Sequence, residues 1–509
     1  MSAFYNLGDL IDRHRDMDKV AIIDLGGEGG PREFSFRELD DMANGVARAL
    51  SARRFERGER IAILSDNRTE YLAVYYGAMR AGLVAVPVNH RFPRELIAFV
   101  VRDAGARLVF CDQGRRTHCP PDVPAIEFGA SGASGFDAFV DAGSFSPVVP
   151  APGETAMFLY TSGSTGRPKG VVLSHQSHLW VVKARMEGQA LSRHRYLIAA
   201  PLYHMNALAL SKLACAAHAT IVLLPQFTTR SYIEAIGRYR CTWLTAVPPM
   251  IAMMLRDTTL LAHADFSSVE FLRMGSAPVS PSLLAAIAAV MPNTATSNAY
   301  GTTEGGPVVF GPHPAGITQP GLSVGYPHAR VSLRLVDGDD MNAQQGVLQL
   351  KSPAVMTGYH NRPDLALPFT DDGFYVTGDI FRRDAHGFHY FVGRIDDMFV
   401  CGGENIYPGE IEKLLESHPD ILQAGVVPVD DEIKGQKPVA FCVQRAGASL
   451  TADEVKQYTL AKAPAYAHPR YVWFVDRFPL ASTNKIDRRA LIALAQQRIA
   501  AASAEHSLP

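Results

Sequence analysis

Residues 160–170, YTSGSTGRPKG, carry three glycines, four serine or threonine hydroxyls and two cations in eleven positions, and their reading decides the fold. Glycines let backbone N–H groups crowd round an oxyanion, while Thr161, Ser162, Ser164 and Thr165 add donors and Lys169 adds a compact charge. A loop of this kind holds phosphates. A flexible Gly/Ser linker would share the composition, but MFLY before it and GVVLSH after it read as strands, and linkers are not usually flanked that way. No Gly-Lys-Ser/Thr follows four residues after a glycine, so this is not a Walker-type nucleotide loop.

Outward from the loop, helix and strand patterns alternate as in a doubly wound α/β protein. Ser35 and Glu38 form a capping box, after which Leu39, Met42, Ala43, Val46 and Leu50 share one helical face. Residues 60–64 read as a buried strand, 69–81 as a helix and 84–88 as the next strand, which is one βαβ unit. Residues 112–154, rich in Gly, Ser, Pro and Asp, read mostly as loop. Near the other end, strands at 423–429, 439–443 and 471–475 with a Thr451-capped helix make a compact α+β unit. The expected division is a large domain over residues 1–395 and a small domain over 396–509.

The chain has 509 residues, 47% hydrophobic and 20% charged, with a net charge of −2. No general field draws it to nucleic acid or to an anionic membrane. Its opening residues show no basic stretch leading into an apolar one, and no apolar run of about twenty residues occurs, so a soluble cytoplasmic protein is expected. Six cysteines without a C-x-x-C pair argue against a disulfide framework or a structural zinc.

Four constellations then fall in order: the phosphate loop; GSAP at 275–278 with NAYGTTEGG at 298–306; YVTGD ending at Asp379, followed by GRIDDMFVCGGENIYPGEIE at 393–412; and PLASTNKIDRR, in which Lys485 follows Pro479 by six residues. Asp379 can accept two ribose hydroxyls, and Arg394 can donate to the same sugar or to phosphate. Taken together these motifs resemble the adenylate-forming enzymes, above all the aryl- and chlorobenzoate-type CoA ligases, along nearly the whole chain. The resemblance implies an acid:CoA ligase that uses ATP and Mg²⁺, makes an acyl-adenylate and pyrophosphate, then an acyl-CoA thioester and AMP. The expected partners are a carboxylic acid, ATP and coenzyme A, with no nucleic acid, no membrane insertion and a homodimer allowed.

Carried over residue by residue, the resemblance places Gly163, Gly166 and the rest of the phosphate loop on the triphosphate, and Ala277, Asn298 and Tyr300 beside adenine. It puts Thr303 on phosphate and Glu304 on magnesium. It makes Asp379 and Arg394 ribose ligands, Asp396 the hinge, and Gly402 and Gly403 part of the pantetheine tunnel. Lys485 becomes the lysine that bridges carboxylate and phosphate, although Asn484 stands where glycine is usual. In PLYHMNALALSKLACAA, His204 is the gate of the acid pocket, with Met205, Asn206, Val247, Gly275, Ser276, Gly301 and Pro307 as walls. Most of these are small or apolar, which predicts a compact uncharged acid, aromatic or of short to medium chain. Lys212 is the exception; it reads either as a partner for a second carboxylate or, more ordinarily, as a surface lysine with its stem on apolar ground. Rival readings are an enzyme that loads a carrier protein, a luciferase-like oxidation and a silent nucleotide sensor.

Overall fold

The computed structural model describes residues 4–27, 29–161, 167–277, 279–401, 404–481 and 485–505. Short runs of Val, Ile and Leu become strands buried on both faces, as parallel sheets covered by helices require. Arg60–Leu64 and Val84–Pro87 pair in parallel, joined by the helix Thr69–Arg80. They lie in a seven-stranded sheet ordered Gly358–Tyr359, Lys169–Ser174, Thr155–Thr161, Val84–Pro87, Arg60–Leu64, Ala106–Asp112, Ala125–Phe128. A second seven-stranded sheet runs Ala295–Ala299, Phe271–Gly275, Trp243–Ala246, Arg195–Ile198, Thr220–Leu223, Val20–Asp24, Arg32–Ser35. It is parallel except where the last two strands meet.

Helices Phe36–Ala52, Thr69–Arg80, His175–Met186 and Met205–Ala217 contribute to the layer between the sheets. One core takes Ile22, Ile198 and Ile221 from one sheet and Ile61, Met157 and Val171 from the other. Every residue of Thr69–Arg80 is buried, so this helix shows no polar stripe. Its terminal Arg80 is fully buried against Asp40 at 2.7 Å, and it donates to Asn44 Oδ1 at 2.6 Å and to the Gly8 carbonyl at 2.8 Å. The Ser35–Glu38 capping box forms as expected, and Thr451 with Glu454 forms another at Ala452–Lys462.

Residues 112–154 hold more structure than their composition suggests: a 3-10 turn Gln113–His118, the strand Ala125–Phe128 and the short helix Phe136–Phe139. Phe128, Phe136 and Phe139 gather round Phe110, with ring centroids 5.0–6.3 Å away, and anchor the loop to the sheet. After a four-stranded antiparallel sheet (Ser332–Val336, Gln345–Lys351, Tyr375–Arg383, His389–Arg394), strands from Phe399 onward form their own five-stranded sheet with separate cores. The result is a mixed α/β protein with a large N-terminal and a small C-terminal domain.

Lys212 corrects a sequence-based expectation, because it is not at the surface. Its side chain is fully buried in the inter-sheet layer, with Nζ 3.3 Å from His178 Nδ1 and 3.5 Å from the Tyr75 hydroxyl. The hydroxyl of Tyr75 in turn donates to Met157 Sδ at 2.9 Å, which directs this cluster toward the phosphate-loop sheet. A helix buried on all sides leaves its lysine no route along which to snorkel. The six cysteines are all buried free thiols. No described helix is long and apolar enough to cross a membrane.

Candidate active site

The sheet strands deliver their motifs at their C-terminal ends, where open α/β sheets bind ligands. Thr155–Thr161 and Lys169–Ser174 pair as an antiparallel hairpin in which Thr161 faces Lys169 across the phosphate loop. Ser162, Gly163, Ser164, Thr165 and Gly166 lie outside the described residues. At the loop's base Thr161 Oγ1 donates to Glu304 Oε1 at 3.5 Å, and the Tyr359 hydroxyl donates to the same oxygen at 3.3 Å. Lys169 Nζ stands 4.6 Å from the centre of the Tyr359 ring. The sequence motifs did not reveal Tyr359: its short strand, Gly358–Tyr359, joins the site only by pairing with Lys169–Ser174, about 190 residues away in sequence.

Glu304 receives these two long bonds from neutral hydroxyls and no cation among the described residues. It therefore retains acceptor capacity for a hard ion. No group of three or more His, Cys, Asp or Glu converges among the described residues, so an ion here would draw most of its ligands from phosphate and water.

Asp379 and Arg394 stand opposite each other as Cα partners on adjacent antiparallel strands, and their ion pair closes at 3.1 Å. The Tyr300 hydroxyl donates to Asp379 Oδ2 at 2.5 Å, and the Asp379 N–H donates to Thr377 Oγ1 at 3.0 Å. Burial pushes the Asp379 carboxyl above its ordinary value, while Arg394, the Tyr300 hydroxyl and Lys485 pull it back. Asp396 sits in the 3-10 turn Ile395–Asp397, 3.6 Å from the Arg394 guanidinium.

Lys485 lies in a turn closed by the Leu480–Ile486 bridge and the Ala481 N–H to Lys485 carbonyl bond of 2.8 Å, three residues before the helix Arg488–Glu505. Its side chain is exposed to the interdomain cleft, yet protein crowds it enough to push its ammonium below the usual lysine range. Arg394 adds to that effect, and Asp379 and Asp397 oppose it. A residue about a hundred positions beyond Asp379 thus faces it. The small domain is held in this position by the Arg256 Nη1 bond to the Asp476 carbonyl at 2.6 Å and by the Lys413 ammonium bonded to the Phe391 carbonyl. Asn484, Gly402 and Gly403 lie outside the described residues.

Around the acid-pocket candidates, small residues are required by close approach. A side chain at Gly301 would meet the Pro307 Cα at 2.7 Å, and one at Gly275 the Ala299 carbonyl oxygen at 2.9 Å. Ser276 holds φ +65, a left-handed conformation that non-glycine residues rarely keep outside functional turns. Ala277 follows it in the same bend. Asn298 is the penultimate residue of its strand, donating to the Leu322 carbonyl at 3.2 Å, and Thr303 sits in the turn closed by the Thr302–Gly306 bridge. His204 is the N-cap residue of Met205–Ala217 with its ring 4.5 Å from that of Tyr203, so His204, Met205 and Asn206 form the half-buried first turn of that helix. Val247 caps the helix Pro248–Arg256.

One prediction follows from the Asp379 cluster. Tyr300→Phe removes a donor to the charged carboxylate, so its pKa rises further and nucleotide binding weakens as the pH falls. We expect KM for ATP to rise about 10-fold with kcat little changed, and the low-pH limb of that KM to move to higher pH. Steady-state ATP titrations across pH check this; an unaltered KM would separate the Tyr300–Asp379 bond from nucleotide binding.

The profile of the AMP-binding enzyme family matches residues 12–360, and that of the AMP-binding enzyme C-terminal domain matches residues 410–485. A feruloyl-CoA synthase from Amycolatopsis is 30% identical over 468 residues, covering 90% of this chain and 93% of its own. A sulfoacetate–CoA ligase from Cupriavidus necator is 31% identical over 482 residues, covering 90% and 92%. Among solved structures, ATP-bound MatB from Rhodopseudomonas palustris superposes with TM-score 0.86 at 26% identity, covering 96% of this chain and 98% of its own. The chain belongs to the AMP-binding enzyme family.

Proposed function

We propose that the protein is an ATP-dependent acid:CoA ligase, acting on a compact aromatic or short- to medium-chain carboxylic acid. The observation that carries this reading is the convergence of Lys485, from the small domain, on the buried Asp379 of the large one and its ion-pair partner Arg394. That arrangement suits the adenylation half-reaction. The acid's carboxylate attacks the α-phosphorus of ATP, pyrophosphate leaves, and an acyl-adenylate remains. Asp379 holds the ribose, the residues around Thr161 and Lys169 cradle the phosphates, and Lys485 offsets charge that develops between carboxylate and phosphate. Magnesium, when bound on Glu304, supplies further neutralisation of the triphosphate.

In the second half-reaction the CoA thiol attacks the acyl carbon, the thioester forms and AMP leaves. Lys485 occupies the cleft in the orientation described here, so the small domain turns before the thiol enters, with Asp396 as the hinge and 395/396 as the domain boundary. Gly402 and Gly403 would then border the incoming thiol. CoA as acceptor is supported by the names of the two relatives, a feruloyl-CoA synthase and a sulfoacetate–CoA ligase. A cytoplasmic location belongs to the same reading.

The test is acid-dependent AMP formation with ATP, Mg²⁺ and CoA over benzoates, cinnamates, branched short acids, medium fatty acids and diacids. Turnover that needs both acid and CoA is the expected result. AMP formation that appears only with a phosphopantetheinyl carrier protein would replace the ligase with a carrier-loading enzyme.

A further inference from the structure

Beneath the acid-pocket candidates lies a pair of arginines with no anionic partner. Strands Arg195–Ile198, Trp243–Ala246, Phe271–Gly275 and Ala295–Ala299 are adjacent, and their registers align Ser297 with Arg273 and Arg273 with Thr245 in one row. Leu244, Leu272 and Met274 turn to the outer core of this sheet, so by strand alternation Thr245 and Arg273 face the inter-sheet layer. That row lies two residues down the strand from Gly275, about 6–7 Å below it. Arg185, near the C-terminal end of His175–Met186, reaches the same space from the helix side.

Neither Arg185 nor Arg273 makes a hydrogen bond or ion pair with any described residue. Each is only half-buried by area, yet protein packs closely round both. The guanidinium of Arg273 is pushed down to about 9, first by burial and then by the charge of Arg185 beside it. Two like charges held together in a desolvated recess are costly unless something negative joins them. Neutral groups round them are also unsatisfied. The Thr245 hydroxyl and the Tyr196 hydroxyl have no hydrogen-bond partner, in residues only 7% and 0% exposed. The Tyr196 hydroxyl is close enough to influence Arg185. A place with two unpaired guanidinium groups and two orphaned hydroxyls suits a polar, negatively charged guest.

We propose that Arg185 and Arg273 form the far end of the acid pocket and bind a second anionic group on the substrate, a carboxylate or sulfonate. This rests on the ligase reading and sharpens it: the acid is dibasic, with its two anionic ends separated by roughly a benzene ring or a four-carbon chain, as the strand spacing requires. On this proposal the acid carries a second charge, where the residue types of the pocket walls predict an uncharged one. Each arginine alone resembles an ordinary surface charge, one near a helix end and one inside a strand, and only the tertiary fold brings the two together. Lys212 is given no part, since its ammonium is engaged by His178 and Tyr75.

The test separates binding from turnover. Terephthalate is compared with 4-methylbenzoate, and adipate with hexanoate, by calorimetric titration in the presence of a non-hydrolysable ATP analogue, and in parallel by AMP formation. The wild-type protein should bind each dianion about 10- to 100-fold more tightly than its monoanionic match. Arg273→Met should erase that preference while ATP affinity is retained, and Arg185→Met, which leaves the sheet untouched, should do the same. Preferential dianion binding without CoA-dependent turnover would uphold the anionic subsite and sink the ligase reading. Equal binding of monoanions and dianions, no binding of either dianion, or a dianion preference that survives both substitutions would overturn the subsite, whatever the turnover.

Discussion

Lys485→Ala should slow acyl-adenylate formation by about 100-fold or more, the size of effect expected when one preorganised electrostatic donor is removed. Thioester formation from a supplied acyl-adenylate should be nearly unaffected. The asymmetry follows from the proposed mechanism: Lys485 faces Asp379 and Arg394 across the cleft, so under that mechanism its charge sits where the carboxylate meets the α-phosphate and leaves before the thiol arrives. The pH dependence has a definite sign. Crowding in the cleft and the neighbouring Arg394 lower the lysine's pKa, so adenylation should decline as pH rises through that lowered value, sooner than an ordinary lysine would allow. The thioester step should lack this limb. Single-turnover measurements of each half-reaction check the prediction, and equal losses in both steps would remove Lys485 from the role assigned to it.

The second large effect is on stability. Burial pulls Lys212 down to about 7, and its neighbours offer no carboxylate, only neutral hydrogen-bonding groups. The unfolded chain keeps the lysine proton up to about 10.5, so between about 7 and 10.5 the unfolded state binds more protons than the folded one. The contribution of this group to stability therefore rises with pH across that window, by about 1.4 kcal/mol per pH unit, and its full cost is felt below it. At neutral pH that cost is on the order of 4–5 kcal/mol. Lys212→Met fills the same space without a charge to neutralise, against the loss of two long hydrogen bonds. We expect it to stabilise the large domain by about 1–4 kcal/mol at pH 7, with the advantage shrinking as pH approaches 10. Urea midpoints of both proteins measured side by side from pH 7 to 10 isolate the lysine, because every other titrating group cancels in the difference. A destabilised variant would show that the Lys212–His178–Tyr75 cluster holds the inter-sheet layer together more strongly than its desolvation weakens it.

Much of the fold is legible locally. The capping boxes at Ser35 and Thr451 form as their residue types require, because both partners of each lie within one helical turn. The strands at 60–64 and 84–88 are recognisable because a strand buried on both faces leaves an unbroken apolar run. The Asp379–Arg394 pair is legible too, since YVTGD and GRIDD lie on neighbouring strands of one hairpin. Tyr359 and the Arg185–Arg273 pair are not, because each joins the site through contacts between segments far apart in sequence, and no nearby residue signals where the side chain will arrive.

Lys212 draws the same line from the other side. The residue types of its segment show an apolar helix with one cation, and both a buried and a surface lysine are consistent with that pattern. Burial is a property of what covers the helix, and here two sheets enclose it. The chemistry-bearing motifs, their order and the class of reaction are determined by the sequence alone, because phosphate, ribose and carboxylate recognition depend on residue types at short spacing. Which charges lose their solvent, which find a partner and which remain unpaired for a ligand are decided only by the tertiary structure, because desolvation and Coulomb energy depend on three-dimensional neighbours and not on position along the chain.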